Sequence, residues 1–269
     1  MSDGASITAL RHTVKRMIRG ERYQWLAAPA RRIWYYWRTI GELKNFPCVL
    51  LWLRKDIRSK SPQDLIDLVF TRFDGMFRPF QNKNELQQFI ERVALINPKT
   101  VVEIGTARGG SLFLLSCVSS PHAVLVSIDL PAGLYGGGYP SWKGFIFQRF
   151  VGGAQTLHLI RGDSHKEATF NRTVSALKDA AVDLLFIDGD HSYNGVKKDF
   201  LQYRTLVRPG GLIVFHDILE SKIDNDITVA PLWREIQRDF QTEEIVESYN
   251  QGQFGIGILT VPQRWEDRK

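Results

Sequence analysis

From about residue 100 onward, short apolar runs alternate with longer amphipathic stretches. The runs are rich in Val, Ile, Leu and Phe, which is typical of buried strands. The predicted strands are Thr100–Ile104, Ala123–Ile128, Leu157–Ile160, Val182–Ile187 and Leu212–Phe215. The predicted helices are Ser111–Ser119, Trp142–Phe150, Thr173–Ala180, Tyr193–Leu206 and Pro231–Phe240. Two further runs, Glu244–Tyr249 and Phe254–Val261, predict a closing antiparallel pair of strands.

This alternation predicts an α/β fold. We expect a Rossmann-like, seven-stranded, mostly parallel sheet, with helices on both faces and right-handed crossovers. Ligands of such a sheet bind beyond the carboxyl ends of the strands. Gly105, Asp129, Asp163, Asp188 and Asp217 all stand at or just after the end of a predicted strand. Because the strand ends share one rim, these residues are expected to converge in space.

Positive charge is concentrated in the first sixty residues. They hold 13 Lys and Arg against 4 Asp and Glu, whereas the rest of the chain holds 22 against 25. Four of the seven tryptophans, Trp25, Trp34, Trp37 and Trp52, are interleaved with Arg and Lys there and predict basic amphipathic helices. We therefore divide the chain into a helical N-terminal extension, residues 1–70, and an α/β domain, residues 71–269.

The role of the extension stays open between three interpretations. It could contact an anionic membrane surface, form a partner surface or a cap on the substrate site, or simply be packed helices with a solvated basic face. The longest apolar run, Phe46–Leu53, is far shorter than the roughly 20 residues of a membrane span. Met1–Arg22 lacks the apolar core of a signal peptide. We expect a cytoplasmic protein, with peripheral contact to the inner membrane surface as the open alternative.

The segment VVEIGTARGGS, residues 101–111, predicts a glycine-rich turn between a strand and a helix. Such a turn lets the backbone approach a ligand, although a plain strand–helix connection would have the same pattern. A nicotinamide site would need G-x-G-x-x-G, but Ala107 stands where the second glycine would fall. Glu103, before the turn, and Asp129, after the next strand, instead resemble motif I and the ribose-binding acid of class I S-adenosylmethionine-dependent methyltransferases.

Four later segments extend this resemblance to one bacterial family, methyltransferase family 24, which is close to sugar and macrolide O-methyltransferases and to cephalosporin hydroxylase-like proteins. The segments are IDLPAGLYGGGYPSWK, LHLIRGDSHKEAT, VDLLFIDGDHSYNGVKKDF and LVRPGGLIVFHDI, and the resemblance covers roughly residues 75–260. It implies S-adenosylmethionine-dependent methylation of a hydroxyl on a sugar or another natural product. A hydroxylase-like activity ranks low, because no iron-binding triad is evident.

The resemblance also implies which residues bind the cofactor. They are Glu103, Gly105, Thr106, Gly109, Gly110, Ser111, Asp129, Asp163, Ser164 and Asp188. In this set Asp129 would hold the ribose, and Asp163 would lie near the exocyclic amine of the adenine. Ala107 departs from the wider superfamily, which puts the fine geometry of the first loop in doubt but not the cofactor.

The catalytic candidates follow the fourth and fifth predicted strands. The resemblance implies that Asp188, His216 and Asp217 hold Mg²⁺ or Mn²⁺, that Asp188 is part of the catalytic site, and that His191 takes the proton of the acceptor hydroxyl. Three alternatives stay open: helix capping by Asp188 and Asp190 with the histidines bonded to the backbone, a metal-independent methyltransferase that uses His191 alone, and a non-catalytic cofactor-binding or assembly protein.

The remaining expectations concern neighbouring residues and partners. Asp190 and Ser192 are assigned mainly to the start of the next helix. Gly136–Gly138 could form a lid over the cofactor, with Tyr135, Tyr139 and Trp142 against the substrate, or a plain connection with core aromatics. We expect a small-molecule or glycan substrate, a homo-oligomer, and no nucleic-acid partner, since the body of the chain is mildly acidic.

Overall fold

The structure is a computed structural model that describes residues 40–53, 57, 60–131 and 138–265. The strands are β1 (Thr100–Ile104), β2 (Val124–Asp129), β3 (Thr156–Arg161), β4 (Val182–Ile187), β5 (Val207–His216), β6 (Thr242–Ile245) and β7 (Ile256–Thr260). The helices are α1 (Phe46–Trp52), α2 (Pro62–Thr71), α3 (Lys83–Ile96), α4 (Gly110–Val118), α5 (Ser141–Phe147), α6 (Glu167–Leu177), α7 (Tyr193–Tyr203) and α8 (Ala230–Asp239).

The strands of the described region form one sheet in the order β3-β2-β1-β4-β5-β7-β6. Strands β1 to β5 pair in parallel, and β7 runs antiparallel to both β5 and β6. The predicted α/β fold and its closing antiparallel pair are confirmed. Ile104 is in register with Ile128 of β2 and with Ile187 of β4, so these three strands end at the same level.

Element boundaries differ from the prediction where the backbone turns. Helix α6 begins at Glu167, not at Thr173, and ends at Leu177 because Lys178 takes a left-handed conformation with φ +50°. Strand β6 ends at Ile245, since the residues after it form a loop whose N–H groups donate to the buried side chain of Glu85. The first deviation depends on local backbone geometry and the second on a contact between distant segments, and the apolar pattern encodes neither.

Two hydrophobic layers cover the two faces of the sheet. Alternate residues of a strand point to opposite faces, so Val101 belongs to one layer and Val102 to the other. The first layer includes apolar residues of α1 to α5, and the second includes those of α7 and α8. Because β1 is buried along its whole length, ligands can reach the sheet only at its edges and strand ends.

The described part of the N-terminal extension packs into the first layer. Trp52 is only 6% exposed, and its ring centroid lies 5.4 Å from those of Phe73 and Phe113. Trp52 is therefore a core residue. Trp25, Trp34 and Trp37, which carried the prediction of basic amphipathic helices, lie outside the described residues. Among the described residues, no helix is long and apolar enough to cross a membrane.

Candidate active site

The loop after β1 brings the ends of β1 and β4 into close contact. Gly105 has φ +99°, and a Cβ built there would lie 2.0 Å from the backbone oxygen of Asp188. A Cβ on Gly110 would lie 2.1 Å from the backbone oxygen of Phe77. These two glycines are therefore required by packing, whether or not a ligand is bound. Ala107 adopts φ +44°, a left-handed conformation that costs a non-glycine residue about 1 kcal/mol.

Asp129 joins the first loop to the segment after β2. Its Oδ2 accepts a hydrogen bond from the Ala107 N–H at 2.7 Å, and its Oδ1 accepts one from the Gly138 N–H at 2.9 Å. Burial raises the pKa of Asp129 to about 6, although both backbone donors favour the ionised form. Each carboxylate oxygen has a second lone pair, so the side chain can still accept hydrogen bonds from a ligand.

Glu103 lies beneath the loop and is fully buried. The Ser127 hydroxyl donates to its Oε2 at 3.2 Å, and Ser127 also hydrogen-bonds to Thr106. Burial raises the pKa of Glu103 to about 8, with hydrogen bonds from Ser111 and Ser127 opposing the shift. Among the described residues its Oε1 has no hydrogen-bond partner. A buried polar atom without a partner at this position fits a site that takes a polar ligand.

Because the pKa of Glu103 is raised on folding, we expect the free energy of unfolding to fall as pH rises from about 4.5 to about 8. Glu103→Gln should remove this slope, and the variant should be more stable than the wild type at pH 8.5, by up to about 4 kcal/mol. Denaturant unfolding at pH 5 and pH 8.5 measures the difference. The exposed Glu91→Gln serves as control, and equal slopes for Glu103→Gln and the wild type would contradict the prediction.

The residues predicted to bind adenine lie in the loop after β3. The Asp163 side chain is 38% exposed, and its Oδ1 accepts a hydrogen bond from the backbone N–H of His165 at 2.9 Å. The Ser164 carbonyl accepts one from the Tyr203 hydroxyl at 3.0 Å. His165 Nε2 lies 3.4 Å from Oδ1 of Asp199, a fully buried carboxylate on α7. These contacts fix the loop, and the adenine-binding role of Asp163 and Ser164 stays a prediction.

The predicted catalytic residues converge at the ends of β4 and β5. His216 Nδ1 lies 3.0 Å from Asp188 Oδ1 and 3.4 Å from Asp217 Oδ1. His191 Nδ1 lies 2.9 Å from Asp217 Oδ2. Asp217 adopts φ +61°, a strained conformation of the kind that occurs at functional sites. Two carboxylates and two imidazoles therefore form one connected cluster.

The electrostatics of this cluster favour charged pairs. Burial disfavours the charged form of His216, yet the charges of Asp188 and Asp217 raise its pKa well above the usual value. His191 follows the same pattern, with the Asp217 hydrogen bond opposing burial and raising its pKa. Burial alone would raise the pKa of Asp217, but His216 and His191 hold it well below its usual range. Each histidine thus has a carboxylate partner, not a backbone one.

The capping assignment is confirmed for the residues beside the cluster. Ser192 is the N-cap of α7, and its hydroxyl accepts a hydrogen bond from the Gly195 N–H at 3.1 Å. Asp190 Oδ1 accepts one from the Ser192 N–H at 2.8 Å. Asp188 instead points into the cluster, so the alternative in which Asp188 also caps the helix does not hold.

Two histidines compete for the role of metal ligand. The predicted donors are Asp188, His216 and Asp217, and His216 is within 3.4 Å of both carboxylates. Asp188, His191 and Asp217 also offer ligand atoms that all lie within 4.8 Å of one another. Carboxylate oxygens and imidazole nitrogens are donors that Mg²⁺ or Mn²⁺ accepts, so the residues present fit a divalent cation.

Gln81 is a site residue that sequence reasoning missed. Its Nε2 donates to Asp188 Oδ2 at 2.7 Å, across 107 residues of sequence. It precedes the N-cap of α3 in a segment without a glycine-rich or acidic motif, so no sequence signal pointed to it. Of the predicted substrate aromatics, Tyr135 lies outside the described residues, and Tyr139 is 2% exposed with its ring 4.7 Å from that of Phe147. Tyr139 is therefore a core aromatic.

Comparison with known proteins shows which domain and fold this chain resembles. Residues 102–218 match the model of a family described as a methyltransferase domain. The O-methyltransferase TomG of Streptomyces achromogenes, solved with S-adenosylmethionine, superposes with a TM-score of 0.51 over 80% of this chain and 96% of its own, at 16% identity. The O-methyltransferase of Bacillus cereus, solved with S-adenosylhomocysteine, gives 0.51 over 77% and 93%, at 15% identity.

Residues 102–218 thus resemble this methyltransferase family, and the chain has the class I methyltransferase fold. The curated relatives include an uncharacterized protein of Acanthamoeba polyphaga mimivirus, 37% identical over 142 residues, which are 53% of this chain and 61% of the relative. Another is an uncharacterized protein of Sinorhizobium fredii, 29% identical over 132 residues, 46% of this chain and 14% of the relative. The chain therefore spans less than two thirds of the length of either relative.

Proposed function

We propose that the chain transfers a methyl group from S-adenosylmethionine to a hydroxyl oxygen of a sugar or another natural product. The observation that carries the proposal is the pairing of His191 with Asp217 beside Asp188, at the strand ends where the glycine-rich loop meets β4. The structural neighbours TomG and the Bacillus cereus protein, which bind S-adenosylmethionine and S-adenosylhomocysteine, support the choice of cofactor.

In the proposed reaction the acceptor oxygen attacks the methyl carbon, and the bond from that carbon to the sulfonium sulfur breaks. Sulfur leaves as a neutral thioether, and the hydroxyl proton must go to a base. In its neutral form His191 donates from Nδ1 to Asp217, and its Nε2 then carries the free lone pair that can accept the proton. The His191 side chain is 29% exposed, so an acceptor can reach it. Asp217 would orient the ring and stabilise the imidazolium that forms.

The cofactor fits the residues around the first loop. Among the described residues, the fully buried Glu103 Oε1 has no hydrogen-bond partner and could contact a polar group of the cofactor. Asp129 retains lone pairs for the ribose hydroxyls. Gly105 and Gly109 have φ +99° and +84° and leave the loop backbone without side chains. We assign Thr106, Gly110 and Ser111 to the support of this loop, consistent with the hydrogen bonds of Thr106 and Ser111 to the Ser127–Glu103 pair.

We further propose that Asp188, His216 and Asp217 hold a divalent cation and leave His191 as the base. Such a cation, when bound, would lower the pKa of the acceptor hydroxyl. The His216 side chain is 2% exposed and that of His191 is 29% exposed. The buried His216 is therefore assigned as the metal ligand, and the more exposed His191 as the residue that transfers the proton.

Metal removal tests this assignment. Chelation with EDTA should lower methyl transfer at least about tenfold, and Mg²⁺ or Mn²⁺ should restore it, since a Lewis acid contributes several kcal/mol. Calorimetric titration of Mg²⁺ should show binding lost in His216→Ala but retained in His191→Ala. The reverse pattern would assign His191 as the ligand. Unchanged rates after chelation would favour the metal-independent mechanism.

The proposed activity itself is tested with isotopically labelled S-adenosylmethionine and a panel of hydroxylated sugars and phenols. Label in an ether product, with S-adenosylhomocysteine released in equal amount, is the expected result. Tight cofactor binding without label transfer to any acceptor, with or without divalent ions, would favour the non-catalytic cofactor-binding protein.

A further inference from the structure

An exposed aromatic side chain stands next to the active site. Phe80 is 81% exposed, which is unusual for a residue whose neighbour, Gln81, is buried and bonded to Asp188. The Phe80 ring packs edge-to-face on Phe254, with centroids 5.4 Å apart. The Phe254 ring in turn lies 5.8 Å from His216. Phe80 and Phe254, here called the aromatic wall, thus connect solvent with the catalytic cluster.

The aromatic wall is held in place by a strained backbone conformation at Phe254. Phe254 adopts φ +68°, which a side chain with a Cβ tolerates poorly. The next residue, Gly255, donates its N–H to Oε2 of the fully buried Glu85 at 2.9 Å. The Phe254 carbonyl accepts a hydrogen bond from the Leu219 N–H at 3.0 Å, two residues after Asp217. The position of the Phe254 ring is therefore set by the same segment that carries the catalytic aspartate.

Gln81 adds a hydrogen-bond acceptor, its Oε1, beside the aromatic wall. A carboxylate oxygen only accepts hydrogen bonds, so the amide must present its N–H₂ to Asp188 and its Oε1 away from that contact. Gln81 is 8% exposed, and among the described residues its Oε1 has no hydrogen-bond partner. A ligand that satisfies Oε1 must donate a hydrogen bond. A hydroxyl group of a small ligand can donate such a hydrogen bond.

We propose that the aromatic wall and Gln81 form the acceptor subsite, which binds a hydroxyl-bearing ring through its flat apolar face. The ring would stack on Phe80 with Phe254 against its edge, and one of its hydroxyls would donate to Gln81 Oε1 beside Asp188. Aryl rings and the C–H face of a sugar ring share this chemistry. The inference rests on the proposed methyl transfer for its biological meaning, but the subsite is defined by contacts that binding alone can test.

Binding measurements on the protein loaded with S-adenosylhomocysteine test the subsite. Phenol and methyl α-glucoside serve as the aryl and sugar probes, and glycerol serves as a hydroxylated compound without a ring. In titrations followed by NMR, one ring probe should bind more tightly than glycerol. Phe80→Ala should weaken that probe roughly three- to tenfold, the range expected for one aromatic contact. Phe80→Trp should stay within about twofold of the wild type.

Leu95→Ala is the matched control, since Leu95 is 80% exposed on α3. The probe whose affinity falls in Phe80→Ala shows whether the subsite prefers an aryl ring or a sugar ring. Binding of neither ring probe to the wild type, or a ring affinity unchanged by Phe80→Ala, would overturn the proposal. Because the assay requires no methyl transfer, ring binding that depends on Phe80 would stand even if the enzyme activity were absent.

Gln81→Leu tests the polar part of the subsite. The variant keeps the approximate volume of the side chain but removes the acceptor atom. It should lose most of the preference for a hydroxylated ring over the same ring without its hydroxyl, about tenfold for one buried hydrogen bond. A merely structural role of Gln81 would lower stability and leave this preference unchanged, and that result would remove Gln81 from the subsite.

Discussion

Replacement of His191 by alanine is expected to reduce methyl transfer about 10²- to 10⁴-fold, while the affinity for S-adenosylmethionine stays within about twofold. The imidazole is held by Asp217 at 2.9 Å and is the more exposed histidine of the cluster. Without it the acceptor hydroxyl has no positioned base, so the loss should appear in kcat. The proposed cofactor contacts lie on the first loop and on Asp129, which the substitution does not touch.

The measurement combines steady-state kinetics on an acceptor from the panel with calorimetric titration of S-adenosylmethionine. His122→Ala is the control, because His122 is an exposed histidine in the turn before β2. Retention of more than a tenth of the wild-type kcat by His191→Ala would rule out a general-base role. A parallel loss of cofactor affinity would instead indicate that the substitution disturbs the strand ends.

Replacement of Asp129 by alanine is expected to weaken S-adenosylmethionine binding roughly 10- to 100-fold, the effect of losing one or two hydrogen bonds to a charged acceptor. The side chain lies at the end of β2 and accepts N–H groups from Ala107 and Gly138. Its removal therefore takes away the proposed ribose contact and also the hydrogen bonds that tie the two loops together. Unfolding need not follow, since a carboxylate whose pKa is raised on folding costs stability when it is ionised.

The pH dependence separates ribose binding from loop support. The pKa of Asp129 is about 6, so the wild-type affinity should fall as pH is lowered from 7 to 5, because the protonated acid is a weaker acceptor. The Asp129→Ala variant should show a flatter profile, and the exposed Asp226→Ala should behave as the wild type. Equal profiles for Asp129→Ala and the wild type would contradict the ribose assignment.

The sheet was predictable because buried strands impose a simple pattern. Val182–Ile187 is apolar and is followed at once by Asp188, and the same transition occurs between Ile128 and Asp129. Since parallel strands end at one rim, this pattern is enough to place distant acids side by side. The register of Ile104 with Ile128 and Ile187 confirms the inference. Helix ends were harder to predict from the sequence, because residues such as Lys178 end them through left-handed conformations.

The pairings within the site were not predictable from spacing. His191 and Asp217 lie 26 positions apart in the chain, and nothing in the sequence indicates that His191 approaches Asp217 while His216 approaches Asp188. Their side-chain directions depend on the turn after β4 and on the left-handed backbone of Asp217. The contact of Gln81 with Asp188 depends on how the segment before α3 crosses the sheet edge.

Local sequence was thus sufficient for the α/β class, for the strand ends that carry the candidate site residues, and for Ser192 as a helix cap, because each follows from hydrophobic period or from contacts within a few residues. The tertiary structure alone decided which histidine meets which carboxylate, that Glu103 is buried deeply enough to stay protonated near neutral pH, and that Phe80 and Phe254 meet beside His216. Desolvation and long-range packing set these features, and both depend on distances between residues far apart in the chain.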